Sequence, residues 1–520
     1  MIGTSSCSAT IQLFFRAENL PDKDVLSKSD PYLVLFNSVG GQRGNMIGRT
    51  EVKKDTLCPK FERTITMDYF FELKQELQIF LFDDDGKGPE NDDKLGNVTI
   101  LLSSVMCSRG CVLTVPLAGS STNAKVIVTG VESASNGRDI VNMKLVGKSF
   151  AKMDLFGKAD PYLLLRRVGP NGRGPVLYKS EVIDNTYDPC WKPIPPLCLE
   201  QLTGKNTSEK TIVFEFWDKD LFNDDFIGEV VCSLDELSQA AVGGNPLVLV
   251  RQGKRAGKTY GKLFHSEFRI TKCPRFVDYI SNGWQLNLAV CIDFTGSNGD
   301  PRLPTSLHYM DPSRPNQYIR ALMSVGDILM EYDTDKMVPA FGFGAKLPSG
   351  QTSHFFHLNF EQNPYVGGVQ GVLNAYGKAL STVSLSGPTN FGPAIVNVVS
   401  GARAAKGTYT ILLILTDGEI TDMDATIDAI VRADTAPLSI IIVGVGNGCD
   451  FRAMNILDGD IERLSSNGYV SKRDIVQFVP FRDFAAQPMA ALAAEVLREV
   501  PLQFTQWAAL ANALPTQPQA

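Results

Sequence analysis

Residues 77–96 read LQIFLFDDDGKGPENDDKLG, and residues 211–228 read TIVFEFWDKDLFNDDFIG. Each is an apolar or alternating run that ends in Asp-x-Asp, passes through a turn, and resumes at Asp-Asp before a glycine. The segments upstream match as well. AENLPDKDVLSKSDPYLVL (17–35) and VGKSFAKMDLFGKADPYLLL (146–165) both close on Lys-x-Asp-Pro-Tyr leading into an apolar strand. Between them, RTEVKKDTLCPKF (49–61) answers YKSEVIDNTYDPCW (178–191). One unit of roughly 120–150 residues therefore occurs twice. Its short strands, broken by Gly, Pro, Asn and Asp clusters, predict an all-β sandwich.

In a sandwich, loops distant in sequence gather at one end. Five carboxylates would then meet in the first unit: Asp24, Asp30, Asp83, Asp85 and Asp93. Their counterparts in the second are Asp154, Asp160, Asp218, Asp220 and Asp225. Like charges this close repel, so a cation is expected among them. Hard oxygen ligands on flexible loops suit Ca²⁺ better than Mg²⁺. Aspartate is also a common turn former, but the same order in both repeats argues against turn chemistry alone.

Both units resemble C2 domains, whose calcium loops carry Asp at these spacings and dock on anionic lipid. The resemblance leaves Asp92 or Asp93, and Asp224 or Asp225, as the last ligand. The residue nearer the glycine is preferred, with the inserted GKGPEN expected to put the position of Asp93 in question. Lys23, Lys28, Lys152 and Lys158 sit in the first loops; Lys28 and Lys158 are candidate phosphate contacts, the alternative being solvated loop charge. Phe156, Leu221 and Phe222 are apolar residues at loop tips that could enter a membrane interface, the alternative being minor packing.

From about residue 275 the pattern changes. WQLNLAVCIDF, MVPAFGFGA, TYTILLILTDG and PLSIIIVGVG are apolar runs, separated by amphipathic stretches such as NQYIRALMSVGDILMEY and MDATIDAIVRA. Apolar strands alternating with helices predict an α/β fold with a mostly parallel sheet covered on both faces. Ligands of such folds sit at the carboxyl ends of the strands. There DFTGSNGDP (293–301) places Asp293, Thr295 and Ser297 at alternate positions, SGPTNFG places Thr389 at a helix opening, and LTDGE places Asp417 at a strand end. Two carboxylates and three hydroxyls suit an octahedral Mg²⁺ or Mn²⁺ site with one position open. The set resembles the metal-ion-dependent adhesion site (MIDAS) of von Willebrand factor type A (vWA) domains, a doubly wound, Rossmann-like fold in which a partner's carboxylate fills the open position. Helix and strand capping is the plainer alternative.

Two C2 units followed by such a domain is the order of the copines, and DFTGSNGDP, SGPTNF and VQFVPFRDF (476–484) are close to copine signatures. The resemblance runs over residues 8–505. It implies a first C2 domain at 1–118, a second at 122–272, a von Willebrand A-like domain at 273–505 and a flexible tail at 506–520. It also implies a calcium-dependent phospholipid-binding adaptor. Its partners would be anionic phospholipids such as phosphatidylserine, and unidentified protein targets of the A domain. Its location would be cytoplasmic, shifting to the plasma membrane or other anionic membranes when calcium rises.

Composition narrows the classes further. At 520 residues the chain has room for several domains, and 50 Lys+Arg against 57 Asp+Glu give a net charge of −7, so no nucleic-acid partner is expected. The ten cysteines form no CxxC pair and read as buried thiols in a reducing compartment. The opening MIGTSSCSATIQLFF has no basic segment before a long apolar run, so no signal peptide is expected. With no GxSxG, P-loop or kinase signature, an enzyme is not expected. The remaining competitor is a scaffold that works through its A domain without calcium.

Overall fold

The protein is described by a computed structural model, which places residues 9–24, 27–39, 42–132, 139–153, 157–168, 174–203, 211–220, 224–251, 258–311, 313–418, 420–448, 450–459 and 463–516. The chain divides into two compact units. One comprises Met1–Ser133 with Pro274–Ala520, the other Ala134–Cys273.

The second unit is a sandwich of two four-stranded antiparallel sheets. One runs Val176–Lys179, Pro161–Arg167, Thr211–Asp218, Asp225–Ser233 in spatial order; the other runs Ile194–Cys198, Ile140–Lys148, Lys262–Thr271, Leu247–Val248. Alternation builds it: in Ile140–Lys148, Val141, Met143 and Leu145 point inward while their neighbours are half-buried. Trp191, Phe150 and Phe216 fill its centre.

The first unit opens with a sandwich of the same plan. Ile65–Tyr69, Ala9–Glu18, Lys125–Glu132 and Val112–Pro116 form one sheet; Gln42–Arg49, Pro31–Val39, Glu76–Asp83 and Lys94–Leu101 form the other. Ile11, Leu13 and Phe15 from one sheet bury with Leu33, Leu35, Ile79 and Leu81 from the other. In both sandwiches the aspartates fall at strand ends, where the alternating pattern stops.

The same unit continues as the α/β domain. Met337–Phe343, Gln285–Asp293, Thr408–Thr416, Leu438–Gly444 and Val476–Pro480 lie side by side and parallel, with Phe356–His357 and Tyr365–Gly367 antiparallel against the first of them. The central strands are apolar on both sides because both faces are covered. Leu288, Val290 and Ile292 pack with helices Gln317–Leu329, Gly368–Thr382 and Met489–Leu497, while Ala289 and Cys291 face Gly392–Ala404 and Met423–Ala433. This is the doubly wound arrangement expected of a von Willebrand A-type domain.

The C-terminal segment departs from expectation. Residues 506–520 were expected to form a flexible tail, yet the helix Val500–Leu510 crosses that boundary with Trp507 and Ala508 buried. Beyond it, Tyr279 donates its hydroxyl to the Ala513 carbonyl at 3.0 Å and Trp284 its indole N–H to the Leu514 carbonyl at 3.1 Å. An alanine-rich segment carries little periodic signal, and Phe504 and Trp507 together bring it onto the core.

Candidate metal centres

In the first C2 domain the loops 19–30 and 83–93 meet at one end. Asp83 Oδ1 accepts the Asp30 amide at 2.5 Å, and the Asp84 amide donates to the Asp30 carbonyl at 3.1 Å. Burial pushes the Asp83 carboxyl above its ordinary range, and the charges of Asp24 and Asp85 raise it further. Asp24, Asp30, Asp83 and Asp85 are thus brought together. Asp93 joins them through the backbone, its carbonyl accepting the Asp83 amide at 2.8 Å. Asp92 points elsewhere: it is buried and accepts the Tyr32 hydroxyl at 2.8 Å. Asp93 is exposed. The GKGPEN insertion closes on itself, the Asn91 and Asp92 amides both donating to the Gly88 carbonyl, and leaves the Asp93 backbone beside Asp83.

The second C2 domain repeats three of these bonds. The Asp160 amide donates to Asp218 Oδ1 at 2.5 Å, and the Lys219 amide to the Asp160 carbonyl at 3.1 Å. Asp224 accepts the Tyr162 hydroxyl at 2.8 Å, as Asp92 does from Tyr32. Lys219 and then Tyr162 hold the Asp224 carboxyl down at about 2. Asp225, paired across the sheet with Asp218, is left exposed. Asp154, Phe156, Leu221 and Phe222 lie outside the described residues. Lys28 and Lys158 are both exposed at the loop end, their amides donating to Asp55 and Asn185 at equivalent positions.

Among the described residues no three His, Cys, Asp or Glu side chains already stand in a metal-holding arrangement. In the first site one of the carboxylates is held by a lysine. Lys54, which the sequence reading did not single out, places its ammonium 2.8 Å from Asp30 Oδ2 and 3.5 Å from Asp84 Oδ2. Its hydrogen bond holds the Asp30 carboxyl below the ordinary range. The donor set nevertheless fits calcium. Asp83 Oδ2 is buried without a hydrogen-bond partner, the Ser29 hydroxyl beside it turning toward the Pro21 carbonyl at 3.4 Å. A buried acceptor left so costs about 1–3 kcal/mol, a cost that a cation removes.

The A-domain set assembles at the carboxyl ends of two neighbouring parallel strands. Asp293 is fully buried; its Oδ1 accepts the Thr295 amide at 2.8 Å and its Oδ2 the Thr416 hydroxyl at 2.6 Å. Ser297 donates to Asp417 Oδ1 at 3.0 Å and lies 3.0 Å from the Thr295 hydroxyl. Thr389 completes the cluster: a Cβ added at Gly418 would meet Thr389 Oγ1 at 3.4 Å and Ser297 Oγ at 3.7 Å. Burial first, and the Asp293 charge second, push the Asp417 carboxyl up to about 7. Burial likewise raises Asp293. Two buried carboxylates and three hydroxyls are an all-oxygen set with uncompensated charge, which fits a small divalent cation. Two supporting residues went unassigned in the sequence. Thr416 orients Asp293, and Asn298 donates to Asp417 Oδ1 at 2.9 Å while accepting the Tyr318 hydroxyl at 2.6 Å.

Comparison with known proteins agrees with this organisation. The Copine family model matches residues 306–516, beginning just after the Asp293–Pro301 loop, and the C2 domain model matches 12–117 and 142–247. Among solved structures, the chain is similar to BON1-C2B at 25% identity, over 27% of this chain and 98% of that one, with a TM-score of 0.24. It is similar to the calcium-bound tandem C2 domains of extended synaptotagmin 2 at 19% identity, over 51% and 98%, with a TM-score of 0.21. A human GIVD cytosolic phospholipase A2 matches at 14% identity over 64% and 44%, with a TM-score of 0.19. C2 and Copine domains support a calcium- and phospholipid-binding, membrane-associated function. No described helix is long and apolar enough to cross a membrane. Two C2 domains followed by a Copine domain along one chain give the protein the copine architecture.

Proposed function

We propose that this protein is a calcium-triggered adaptor that acts by binding rather than by turnover. Its C2 loops take Ca²⁺ and dock on anionic phospholipid, and its A domain uses a divalent metal to hold a protein target. The observation that carries the first part is the buried, unpartnered Asp83 Oδ2, set among Asp24, Asp30 and Asp85. Without metal these loop ends are acidic and repel an anionic bilayer. Bound calcium would neutralise most of that charge and leave coordination positions for lipid phosphate or serine carboxylate.

In the A domain, Thr416 and the Thr295 amide would fix Asp293, while Ser297 and Asn298 fix Asp417. The metal would supply an electrophilic position for an acidic side chain of the target. Ser297 and Gly296 are exposed, so that position would be open to solvent. In support of a binding role, His308 is buried and held neutral, burial driving its pKa down to about 3, and His357 is taken up by the Glu361 carbonyl at 2.8 Å. Sedimentation with phosphatidylserine vesicles across a calcium titration tests the reading. It expects binding that appears with calcium and vanishes on chelation; binding that survives chelation would favour the calcium-independent scaffold.

A further inference from the structure

The first C2 domain and the A domain share a packed seam. Phe71, 1% exposed, belongs to the A-domain core, edge-on to Phe276 at 5.1 Å and against Tyr332 at 4.7 Å. In return Val277 joins the core of the C2 sandwich. The Tyr69 and Tyr332 hydroxyls meet at 2.5 Å, and Tyr332 also reaches the Phe71 carbonyl at 3.2 Å. The Gly110 amide donates to the Ser281 carbonyl at 3.0 Å, and Arg275 pairs with Glu132 at 3.1 Å. Interdigitated, buried aromatics are how a hydrophobic domain core is built, not a transient contact.

Strand register locates this seam. In the C2 sandwich Tyr69 is paired with Ala9, the first residue of Ala9–Glu18, and Glu132 with Ile11. The calcium-loop candidates follow the other end of that strand, after Glu18. In the A domain the Leu286 amide donates to the Tyr332 carbonyl at 3.2 Å, at the start of the strand whose last residue is Asp293. Each domain therefore joins the other by the end farthest from its own candidate metal site. At about 3.3 Å per residue, the nine-residue separations in the C2 strand and the seven in the A-domain strand amount to ~30 Å and ~23 Å.

We propose that the first C2 domain and the A domain act as one rigid strut with its two metal-binding ends at opposite poles. A chain docked through its first C2 loops then holds its A-domain metal face away from the bilayer, toward a soluble protein bearing an exposed carboxylate. The strut follows from the seam alone; the membrane consequence rests on the calcium-docking reading above.

The test uses the full chain with probes carried on introduced non-natural residues at Asn91 and Arg302, both exposed beside the respective sites. Electron–electron distance measurement should give one narrow distribution, unchanged by calcium and centred beyond ~40 Å, because the proposed strut lays the two strand lengths nearly end to end. A broad distribution, or one centred below that length, overturns the strut. Phe71→Ser should broaden the distribution; a narrow one in that variant counts against the seam, and if that variant does not fold, the parent's distribution decides. Energy transfer to a lipid-borne acceptor in phosphatidylserine vesicles then reads the orientation. On adding calcium, a donor at 91 should be quenched and a donor at 302 should not. Equal quenching overturns the orientation. Absence of any vesicle binding sinks the calcium-docking reading and with it the orientation, while the distance result stands on its own.

Discussion

Asp30 gives its backbone amide to Asp83 Oδ1 at 2.5 Å, fastening the first calcium-loop candidate to the second. The bond between Asp160 and Asp218 has the same length and the same partners. A hydrogen bond to an ionised acceptor is the strong kind, so this pair fixes the two loops before any cation arrives. One oxygen of Asp83 is spent on that bond and the other is left buried and unpartnered. The loops are therefore organised for a cation without being satisfied by the protein alone.

The two C2 sites should differ in calcium affinity. Lys54 sits on Asp30 and Asp84 in the first, whereas the second has Asp184 at the matching position. Calcium must displace that ammonium. Because the lysine is mostly exposed, the pair is worth ~0–1 kcal/mol, so Lys54→Gln should tighten calcium binding at the first site by up to about five-fold. Titration calorimetry in a chain carrying Asp218→Asn and Asp220→Asn isolates that site. Unchanged or weakened binding would show that Lys54 does not compete.

Asp293→Ala and Asp417→Ala should each abolish Mn²⁺ binding by the A domain and capture of its target. Sedimentation with vesicles should stay at the parental level, because the C2 loops are untouched. Paramagnetic detection of bound Mn²⁺ checks the first half directly. Parental Mn²⁺ affinity in both variants would reduce the cluster to strand-end capping.

Metal binding by the A domain should weaken in acid. The Asp417 carboxyl is pushed up to about 7 by burial and by Asp293, so below that pH the metal must expel a proton to enter. Mn²⁺ affinity should fall by about ten-fold per pH unit below 7, for one proton displaced. The metal-free protein should behave oppositely. A raised folded-state pKa favours the protonated fold, so stability declines as pH climbs from about 4 through 7. Mn²⁺ titrations at pH 5.5, 6.5 and 7.5 give the slope; a flat profile contradicts the assignment.

Arg473 should prove a stability determinant. It is 2% exposed and donates to the carbonyls of Asp434, Ala436, Leu438 and Gln503 and to the Tyr409 hydroxyl, between 2.5 and 3.2 Å. Arg473→Met keeps much of the volume but removes all five bonds; the Ala436 carbonyl keeps the Leu438 amide and the Leu438 carbonyl keeps the Tyr409 hydroxyl, while each acceptor left without a donor costs roughly 1–3 kcal/mol. A loss of at least ~3 kcal/mol is expected for the unit containing Gln503, read by denaturant unfolding. A loss below ~1 kcal/mol would mean water serves those carbonyls.

Much of this was legible in the residues themselves. The C2 aspartates stood out because turn chemistry and strand alternation are local signals, and because the chain writes them twice. Asp293, Thr295 and Ser297 stood out because three oxygens alternate directly after an apolar strand. What escaped depends on long-range placement. Lys54 lies 24 residues from Asp30, and Thr416 lies 123 from Asp293, each meeting its partner only through the fold. Asn298 was inside the quoted motif, but nothing local reveals that it bridges Tyr318 to Asp417. The Tyr69–Tyr332 seam joins residues 263 apart and leaves no periodic trace.

The most direct test of the account is the variant with Asp83, Asp85, Asp218 and Asp220 all replaced by Asn, which keeps shape while deleting four negative charges. A merely electrostatic attraction to anionic lipid would strengthen, since repulsion falls. A metal bridge would fail, since amide oxygens bind Ca²⁺ less strongly than carboxylates. At about 10⁻⁵ M free Ca²⁺, within the sensor range, the folded variant should stay in the supernatant while the parent sediments with phosphatidylserine vesicles. Sedimentation of the variant at the parental calcium midpoint would make these aspartates turn formers and would contradict calcium bridging.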